Sequence, residues 1–261
     1  MKNYKFLIFD LDDTLLDFQH TERNSLKIIF KNNNVPFNEN SLKKYKEINT
    51  SLWTQLENGH ITKNEVLTKR FEYFFKDYGH NVEGTIIEKE YRTCLNQGHK
   101  LLPNAIKILS LLKENGYTIF AGTNGVGITQ RIRLKNSKLF SLFDDIFISE
   151  ELGFEKPNVN FYKTIFNKYP EMNKYNSLMI GDSLSSDIQG AINIGIDSIW
   201  FNPAGQKNTG AKATYEIKDL LELISILTKG SVYPMSTSAK TPHALCESDH
   251  HQSKIGMSAF L

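Results

Sequence analysis

Three aspartates follow a short apolar run near the start of the chain, in the segment FLIFDLDDTLLDF at residues 6–18. The carboxylates of Asp10, Asp12 and Asp13 would repel one another, and burying them is costly unless a cation lies among them. The segment is therefore either an exposed acidic turn or a site that holds a metal ion.

Three further polar clusters follow apolar runs later in the chain. Thr123 and Asn124 lie in FAGTNG, Lys156 lies in GFEKP, and Asp182 lies in MIGDSLSSD with Asp187 five residues later. Each fragment alone has an ordinary explanation, such as a turn, a solvated loop or a helix cap. All of them occur in order after a strand-like run or in the loop beyond one, which chance rarely supplies.

Together these residue types can transfer a phosphoryl group. Carboxylates from separate strands can hold a hard cation such as Mg²⁺, which prefers oxygen ligands. A carboxylate beside that cation can attack phosphorus, and a second carboxylate two residues on can protonate the leaving oxygen and then activate water. The hydroxyl of Thr123, the amides of Asn124 and Gly125 and the ammonium of Lys156 can bind the phosphoryl oxygens.

Five short apolar runs are predicted to form the buried strands that position these residues. They span 5–10, 117–123, 145–149, 177–182 and 197–202. Amphipathic segments such as 127–137 and 160–168 lie between the later runs, which predicts an α/β fold with a doubly wound, Rossmann-like parallel sheet. Ligands bind at the carboxyl ends of the strands in such sheets, so the polar residues are expected to converge at one edge.

Residues 17–100 show helical periodicity without a convincing strand. An insert of this length between two strands of one sheet is far longer than an ordinary connection. We therefore predict a separate helical domain, 17–100, inserted into a core domain formed by 1–16 and 101–227, with Pro103 near the return point.

Residues 228–261 lack periodicity and are rich in Ser, Thr, His and Gly. We expect a disordered or vector-derived tail. The potential metal ligands in it match no common metal-site spacing; they are His243, Cys246, His250 and His251.

The composition is that of an ordinary globular protein, with 40% hydrophobic residues, 23% charged residues and a formal charge of +2 over 261 residues. This charge indicates neither a nucleic acid polymer nor an anionic membrane as partner. The two cysteines give no disulfide framework, and no apolar stretch approaches the ~20 residues of a membrane span. We expect a cytoplasmic protein that is a monomer or a homodimer and binds a small molecule.

The motifs together resemble those of the haloacid dehalogenase-like hydrolase superfamily. They are Asp-x-Asp-x-Thr, Thr-Asn-Gly, Lys-Pro and Gly-Asp-x-x-x-x-Asp, the resemblance covers residues 4–227, and the helical insert resembles the type 1 cap of that superfamily. The resemblance implies that Asp10 is the nucleophile and Asp12 the general acid and base. It also implies that Thr123 and Lys156 bind and orient the phosphoryl group.

The resemblance further implies a magnesium site. Mg²⁺ would be held by Asp10, the main-chain carbonyl of Asp12, and Asp182, with Asp187 supporting Lys156 or metal-bound water. Dehalogenase members of the superfamily lack the second aspartate, because a carbon–halogen bond leaves without protonation. The presence of Asp12 therefore favours hydrolysis of a phosphate ester over dehalogenation.

Segments of the insert and core resemble bacterial pyrimidine 5′-nucleotidases, namely 48–75 and 147–157, which implies a nucleotide substrate. Phe18 and His20 lie just past the nucleophile and are predicted to face the substrate. The spacing of the other aromatic and cationic insert residues favours core packing over stacking against a base. Those residues are Trp53, Arg70, Phe71, Phe74 and Phe75.

Three alternatives remain open at the level of sequence. The substrate could instead be a small phosphate such as phosphoglycolate or a sugar phosphate. The chain could be a scaffold that binds a phosphorylated partner without turnover, although the intact set of polar residues argues against that. A receiver domain also has a strand that ends in acidic residues, but it lacks the ~80-residue insert.

Overall fold

The computed structural model describes residues 3–228 of the chain, and a six-stranded sheet forms its centre. The strands are β1 (Phe6–Phe9), β2 (Thr118–Thr123), β3 (Asp145–Ile148), β4 (Ser177–Gly181), β5 (Asp197–Phe201) and β6 (Tyr215–Ile217). Their order across the sheet is β3-β2-β1-β4-β5-β6, and every neighbouring pair is parallel. The predicted α/β class with a parallel sheet is confirmed.

Helices connect the strands. They are α1 (Phe18–Asn32), α2 (Glu39–Glu57), α3 (Lys63–Lys76), α4 (Gly84–Leu95), α5 (Ala105–Glu114), α6 (Gly127–Asn136), α7 (Ser149–Leu152), α8 (Val159–Lys168), α9 (Gln189–Ile194) and α10 (Glu222–Thr228). A 3₁₀ turn spans Phe140–Leu142, and a π-helical turn at Leu184–Ile188 leads into α9.

Apolar side chains cover both faces of the sheet. Because successive strand residues point to opposite faces, Leu7 and Phe9 join one buried cluster with α5 and α10, while Phe6 and Ile8 join another with α8. Burial on both faces explains why the central strands are continuous apolar runs in the sequence.

The five predicted strands are all present, and each boundary is within one residue of the prediction. The sixth strand, β6, was not predicted. It has three residues at the edge of the sheet, and only Ile217 among them is buried, so it has too few apolar positions to form a recognisable pattern.

The first four helices occupy the long segment between β1 and β2, as predicted. The two chain segments that lead into and out of them run side by side. The Asp17 N–H donates to the Lys100 carbonyl at 2.8 Å, and the Leu102 N–H donates to the Leu15 carbonyl at 2.9 Å. Pro103 lies next to this pairing, near the predicted return point.

Helices α1–α4 have an apolar cluster of their own, which shares no residue with the clusters on the sheet. At its centre the ring of Phe30 stacks on that of Phe74 at 4.4 Å, and Phe71 and Phe75 are fully buried beside them. These phenylalanines pack as the sequence predicts. The division into a core domain and a helical domain stays a prediction, which the separate clusters support.

The expected tail lies outside the described residues from residue 229 onward, together with its histidines and Cys246. Among residues 3–228, no helix combines the length and the apolar character that crossing a membrane requires.

Replacing Phe74 with alanine tests the packing of the helical segment. We expect Phe74→Ala to lower the free energy of unfolding by about 3–5 kcal/mol, because it empties the centre of the α1–α4 cluster. The neighbouring Tyr73 is 47% exposed, so Tyr73→Ala should change stability by no more than about 0.5 kcal/mol. Urea denaturation measures both changes, and similar small losses in the two variants would contradict this packing.

Candidate active site

The predicted polar residues meet at the carboxyl edge of the sheet. Asp10 directly follows β1, Thr123 ends β2, and Asp182 directly follows β4. Strand β1 lies between β2 and β4, and the chain changes the direction in which it adds strands at that point. Such a switch point leaves a crevice at the strand ends, where ligands of α/β proteins bind.

Lys156 lies in the loop after α7 and is 1% exposed. Its ammonium donates to Asp10 Oδ1 at 2.7 Å, to Asp187 Oδ1 at 2.6 Å and to the Gly122 carbonyl at 2.6 Å. An ammonium has three N–H donors, so all of them are used within the protein. Lys156 therefore acts on a bound anion through its charge unless one of these bonds is exchanged.

Two features hold Lys156 and Asp187 in place: hydrogen bonds with the Asn124 side chain and the absence of a side chain at Gly181. The Asn124 side chain donates to the Lys156 carbonyl and accepts from the Lys156 N–H, both at 2.8 Å. A Cβ on Gly181 would lie 2.2 Å from Asp187 Oδ2, so only glycine at this position lets the Asp187 carboxylate approach β4. The main-chain amide of Asn124 stays a predicted phosphoryl contact, and its side chain positions Lys156.

Asp10, Asp182 and Asp187 form an acidic cluster in which one ligand oxygen of each lies within 4.8 Å of the others. The Thr14 hydroxyl lies 3.4 Å from both Asp10 Oδ2 and Asp182 Oδ1, and one hydroxyl proton can serve only one of them. Within residues 3–228, no lysine or arginine forms an ion pair with Asp182. The Asp182 side of the cluster therefore carries excess negative charge.

The pKa values of these groups reflect the same imbalance. Burial raises the pKa of Asp10 to about 7; Lys156 opposes this shift, and Asp187 adds to it. Burial also raises the pKa of Asp182 well above its usual range, with the Asp10 carboxylate acting in the same direction. Burial alone would lower the pKa of Lys156, but the carboxylates of Asp10 and Asp187 raise it overall.

A divalent cation fits this donor set. Asp10 Oδ2 and Asp182 Oδ1 both lie near the Thr14 hydroxyl, and hard cations such as Mg²⁺ take carboxylate oxygens. Asp187 belongs to the same cluster, but its two oxygens already accept from Lys156 and from the Ser183 N–H. Asp187 thus contacts Lys156, which is one of the two roles that the resemblance implies for it.

The Asp12 carboxylate has different partners from those of Asp10. It accepts a hydrogen bond from Gln130 Nε2 at 2.6 Å and forms an ion pair with Arg133, and both residues lie on α6. Sequence reasoning missed both partners because they lie on a buried helix face, where the three-residue spacing indicates only a shared side. Asp12 is thereby held by α6, separately from the acidic cluster.

Thr123 is oriented by two donors. Its hydroxyl oxygen accepts from the Gly125 N–H and from Gln130 Nε2, each at 3.0 Å. With both acceptor positions used, the hydroxyl proton can point only toward another acceptor. The Gly125 N–H, which was predicted to bind a phosphoryl oxygen, already donates to Thr123. The Thr123 hydroxyl is therefore the better donor to a phosphoryl oxygen.

A cavity of about 200 Å³ contains these groups and extends to the helical segment. Phe18, Trp53 and Arg70 line it alongside Asp10 and Asp12. Trp53 was expected only to pack in the core but also lines the cavity, whereas the more deeply packed Phe71, Phe74 and Phe75 do not.

His20 does not line this cavity. It is exposed on α1, where its ring contacts Asn24 Nδ2 at 3.0 Å. The prediction that His20 faces the substrate is not supported by this geometry. An α-helix turns by about 100° per residue, so His20, two residues after Phe18, points to a nearly opposite side of α1.

Comparison with known proteins places this arrangement in a family. A sequence profile described as haloacid dehalogenase-like hydrolase matches residues 7–201. The putative HAD-hydrolase YfnB of Bacillus subtilis (strain 168) is 40% identical over 228 residues, covering 87% of this chain and 97% of that protein. Its crystal structure, bound to magnesium and described as revealing interdomain movement, has a TM-score of 0.83 and covers 87% of this chain and all of that one.

Two similar relatives carry a more specific name. Pyrimidine 5′-nucleotidase PynA of Streptococcus pneumoniae (strain ATCC BAA-255 / R6) is 39% identical, covering 87% of this chain and 96% of that protein. Pyrimidine 5′-nucleotidase YjjG of Escherichia coli (strain K12) is 30% identical, covering 87% of this chain and 99% of that protein.

Replacing Lys156 tests the charge balance of the site. In metal-free buffer, Lys156→Met should lower the free energy of unfolding by about 3–5 kcal/mol, because it leaves two buried carboxylates without their counter-charge. The control is Lys168→Met, since Lys168 is 58% exposed in its pair with Asp145 and such pairs contribute about 0–1 kcal/mol.

Urea denaturation in the presence of EDTA measures both variants. A loss for Lys156→Met no larger than that for the control would show that Lys156 does not balance the buried acids.

Proposed function

Because the chain belongs to the haloacid dehalogenase-like hydrolases, we propose that it is a phosphatase whose substrates are pyrimidine nucleoside 5′-monophosphates. One observation carries the chemistry: two carboxylates share a cavity but have separate partners. Asp10 lies against Lys156 and the acidic cluster, while Asp12 is held on the other side by Gln130 and Arg133.

Asp10 is the proposed nucleophile. Its Oδ1 accepts from Lys156 and its Oδ2 lies near Thr14 in the acidic cluster, so one carboxylate oxygen would attack phosphorus while the other stays with the cluster. The bond between phosphorus and the leaving alcohol breaks as the aspartyl-phosphate forms. The Thr123 hydroxyl donates to a phosphoryl oxygen, and the buried charge of Lys156 stabilises the developing negative charge.

Asp12 is the proposed acid and base. It protonates the leaving oxygen in the first step and takes a proton from the water that hydrolyses the aspartyl-phosphate in the second. The separation of Asp12 from the acidic cluster allows these two roles, since a carboxylate bound to the cluster could not exchange protons freely. This second carboxylate is the feature that a dehalogenase does not need.

The acidic cluster is the proposed Mg²⁺ site. Asp10 and Asp182 would supply carboxylate oxygens and Asp12 its main-chain carbonyl, with Asp187 acting on Lys156. When bound there, Mg²⁺ neutralises the negative charge of the phosphoryl group and of the carboxylates that approach it. YfnB, which is 40% identical to this chain, has a magnesium-bound crystal structure.

The choice of a nucleotide rests on the relatives and on the cavity. PynA and YjjG, both named pyrimidine 5′-nucleotidases, align with this chain over nearly all of their length. The rings of Phe18 and Trp53 offer flat surfaces to a base, and a cavity of about 200 Å³ favours one ring over two. That volume lies below the ~300–1,000 Å³ common for ligand pockets.

Replacing Asp12 tests the acid role. With Mg²⁺ present, Asp12→Asn should lower kcat for an alkyl phosphate by about 10²–10⁴, the range typical for loss of general acid–base catalysis. The loss should be smaller for an activated aryl phosphate, whose leaving group needs little protonation. EDTA should abolish both wild-type activities, and equal losses for the two substrates in the variant would contradict the acid role.

A substrate panel tests the nucleotide assignment. We expect higher kcat/KM for uridine 5′-monophosphate and its 5-substituted forms than for phosphoglycolate, because a glycolate offers nothing to the rings of Phe18 and Trp53. Purine monophosphates should be poorer substrates. Trp53→Ala should reduce the preference for nucleotides, whereas the exposed Tyr73→Ala should preserve it.

Steady-state kinetics over the panel gives these ratios. If phosphoglycolate or a sugar phosphate exceeded every nucleotide in kcat/KM, the substrate would be a small metabolite phosphate while the phosphatase mechanism stood.

A further inference from the structure

We propose that Arg133 binds the leaving alcohol of the substrate, through a hydrogen bond from its guanidinium to an accepting oxygen on that alcohol. The inference rests on the proposed phosphatase function and adds a specificity-determining residue to it. Arg133 lies on α6, outside every motif that the sequence suggested.

Arg133 has an unused buried donor. Among residues 3–228, only three buried side-chain polar atoms lack a hydrogen-bond partner, namely Tyr45 Oη, Arg70 Nε and Arg133 Nη2. Leaving a buried donor unpaired is costly, and more so when the group is charged. Arg133 is 1% exposed and lines the same cavity as Asp10 and Asp12, so a ligand in that cavity can supply the missing acceptor.

The rest of the guanidinium is firmly held. Arg133 Nε donates to the Gly98 carbonyl at 2.7 Å, and Nη1 donates to Gln130 Oε1 at 3.1 Å and pairs with Asp12. The ring of Phe18 lies 5.5 Å from the guanidinium carbon. These contacts fix the plane of the group, so Nη2 presents its N–H bonds in a set direction at little entropic cost.

The contact with Asp12 indicates which part of the substrate Nη2 meets. Nη1 and Nη2 belong to one planar fork, and Nη1 holds the carboxylate that protonates the leaving oxygen. Nη2 is therefore near the part of the cavity where the leaving oxygen would lie, and an accepting oxygen on the leaving alcohol would complete its hydrogen bonding. In a nucleotide, a sugar oxygen or a ring carbonyl has this chemistry.

Arg70 also lines the cavity and has an unpartnered Nε, but its surroundings differ. Its guanidinium pairs with Glu88 and lies 5.0 Å and 4.9 Å from the rings of Phe71 and Tyr91. These contacts belong to the packed interior of α1–α4. Arg133, in contrast, contacts a proposed catalytic side chain directly.

The test compares substrates that make equal demands on Asp12. Uridine 5′-monophosphate, ribose 5-phosphate and benzyl phosphate all release a primary alcohol, so a change in the position of Asp12 affects the three alike. Benzyl alcohol has no further oxygen to accept a hydrogen bond. Arg133→Lys keeps the positive charge and removes the fork, and Arg131→Lys on the same helix is the control, since Arg131 is exposed in its pair with Glu151.

For Arg133→Lys we expect kcat/KM for uridine 5′-monophosphate to fall about tenfold to a hundredfold more than kcat/KM for benzyl phosphate, as for loss of a charged hydrogen bond. A matching extra loss for ribose 5-phosphate would place the acceptor on the sugar. The absence of that extra loss would place the acceptor on the pyrimidine base. Equal losses for uridine 5′-monophosphate and benzyl phosphate would overturn the proposal. Failure of the wild-type protein to hydrolyse any of the three with Mg²⁺ would instead refute the phosphatase function.

A second measurement does not depend on the folding of an Arg133 variant. In a crystal structure of Asp10→Asn with uridine 5′-monophosphate, Arg133 Nη2 should lie within about 3.2 Å of an oxygen of the nucleoside. If Nη2 contacted only protein or water in that complex, the proposal would be wrong.

Discussion

The buried contact of one ammonium with two carboxylates is the constraint on which the site depends. Lys156 offsets part of the charge of Asp10 and Asp187 at the centre of the sheet edge, and isolated charges at this depth would be prohibitively costly. Neighbouring features serve this contact: Gly181 leaves room for Asp187, and Asn124 fixes the Lys156 backbone. The remaining negative charge, on the side of Asp182, is what a divalent cation would offset.

The two aspartates of the first motif differ because of what surrounds them. Asp10 lies among acids and one lysine, whereas Asp12 lies against an arginine and a glutamine from α6. The first environment holds the proposed nucleophile in place, and the second holds the proposed acid and base apart from the acidic cluster. The Gly98 carbonyl, where the chain returns from the helical segment, accepts a hydrogen bond from the same arginine. Asp12 is therefore linked to the segment that covers the cavity.

The sequence was most informative where a residue directly follows a buried strand. Asp10, Thr123 and Asp182 could be located because the apolar run fixes the strand and the strand fixes the edge. Arg133 could not, because a single polar residue on a buried helix face gives no periodic signal. Asn124 and Gly125 lie at the predicted strand edge, but which of their hydrogen bonds are already used depends on three-dimensional contacts. His20 shows the limit of proximity in sequence, since two positions along a helix change the side that a residue faces.

Turnover by the proposed mechanism requires a covalent bond between Asp10 and the phosphoryl group. The most direct test is to mix the protein with Mg²⁺ and a substrate labelled on its phosphoryl group, to quench the reaction with acid within the first turnover, and to map the label by peptide mass spectrometry. We predict transient labelling of Asp10 that is lost as phosphate is released and is absent in Asp10→Asn. Phosphate release without any label on Asp10, or a label on another residue, would contradict it.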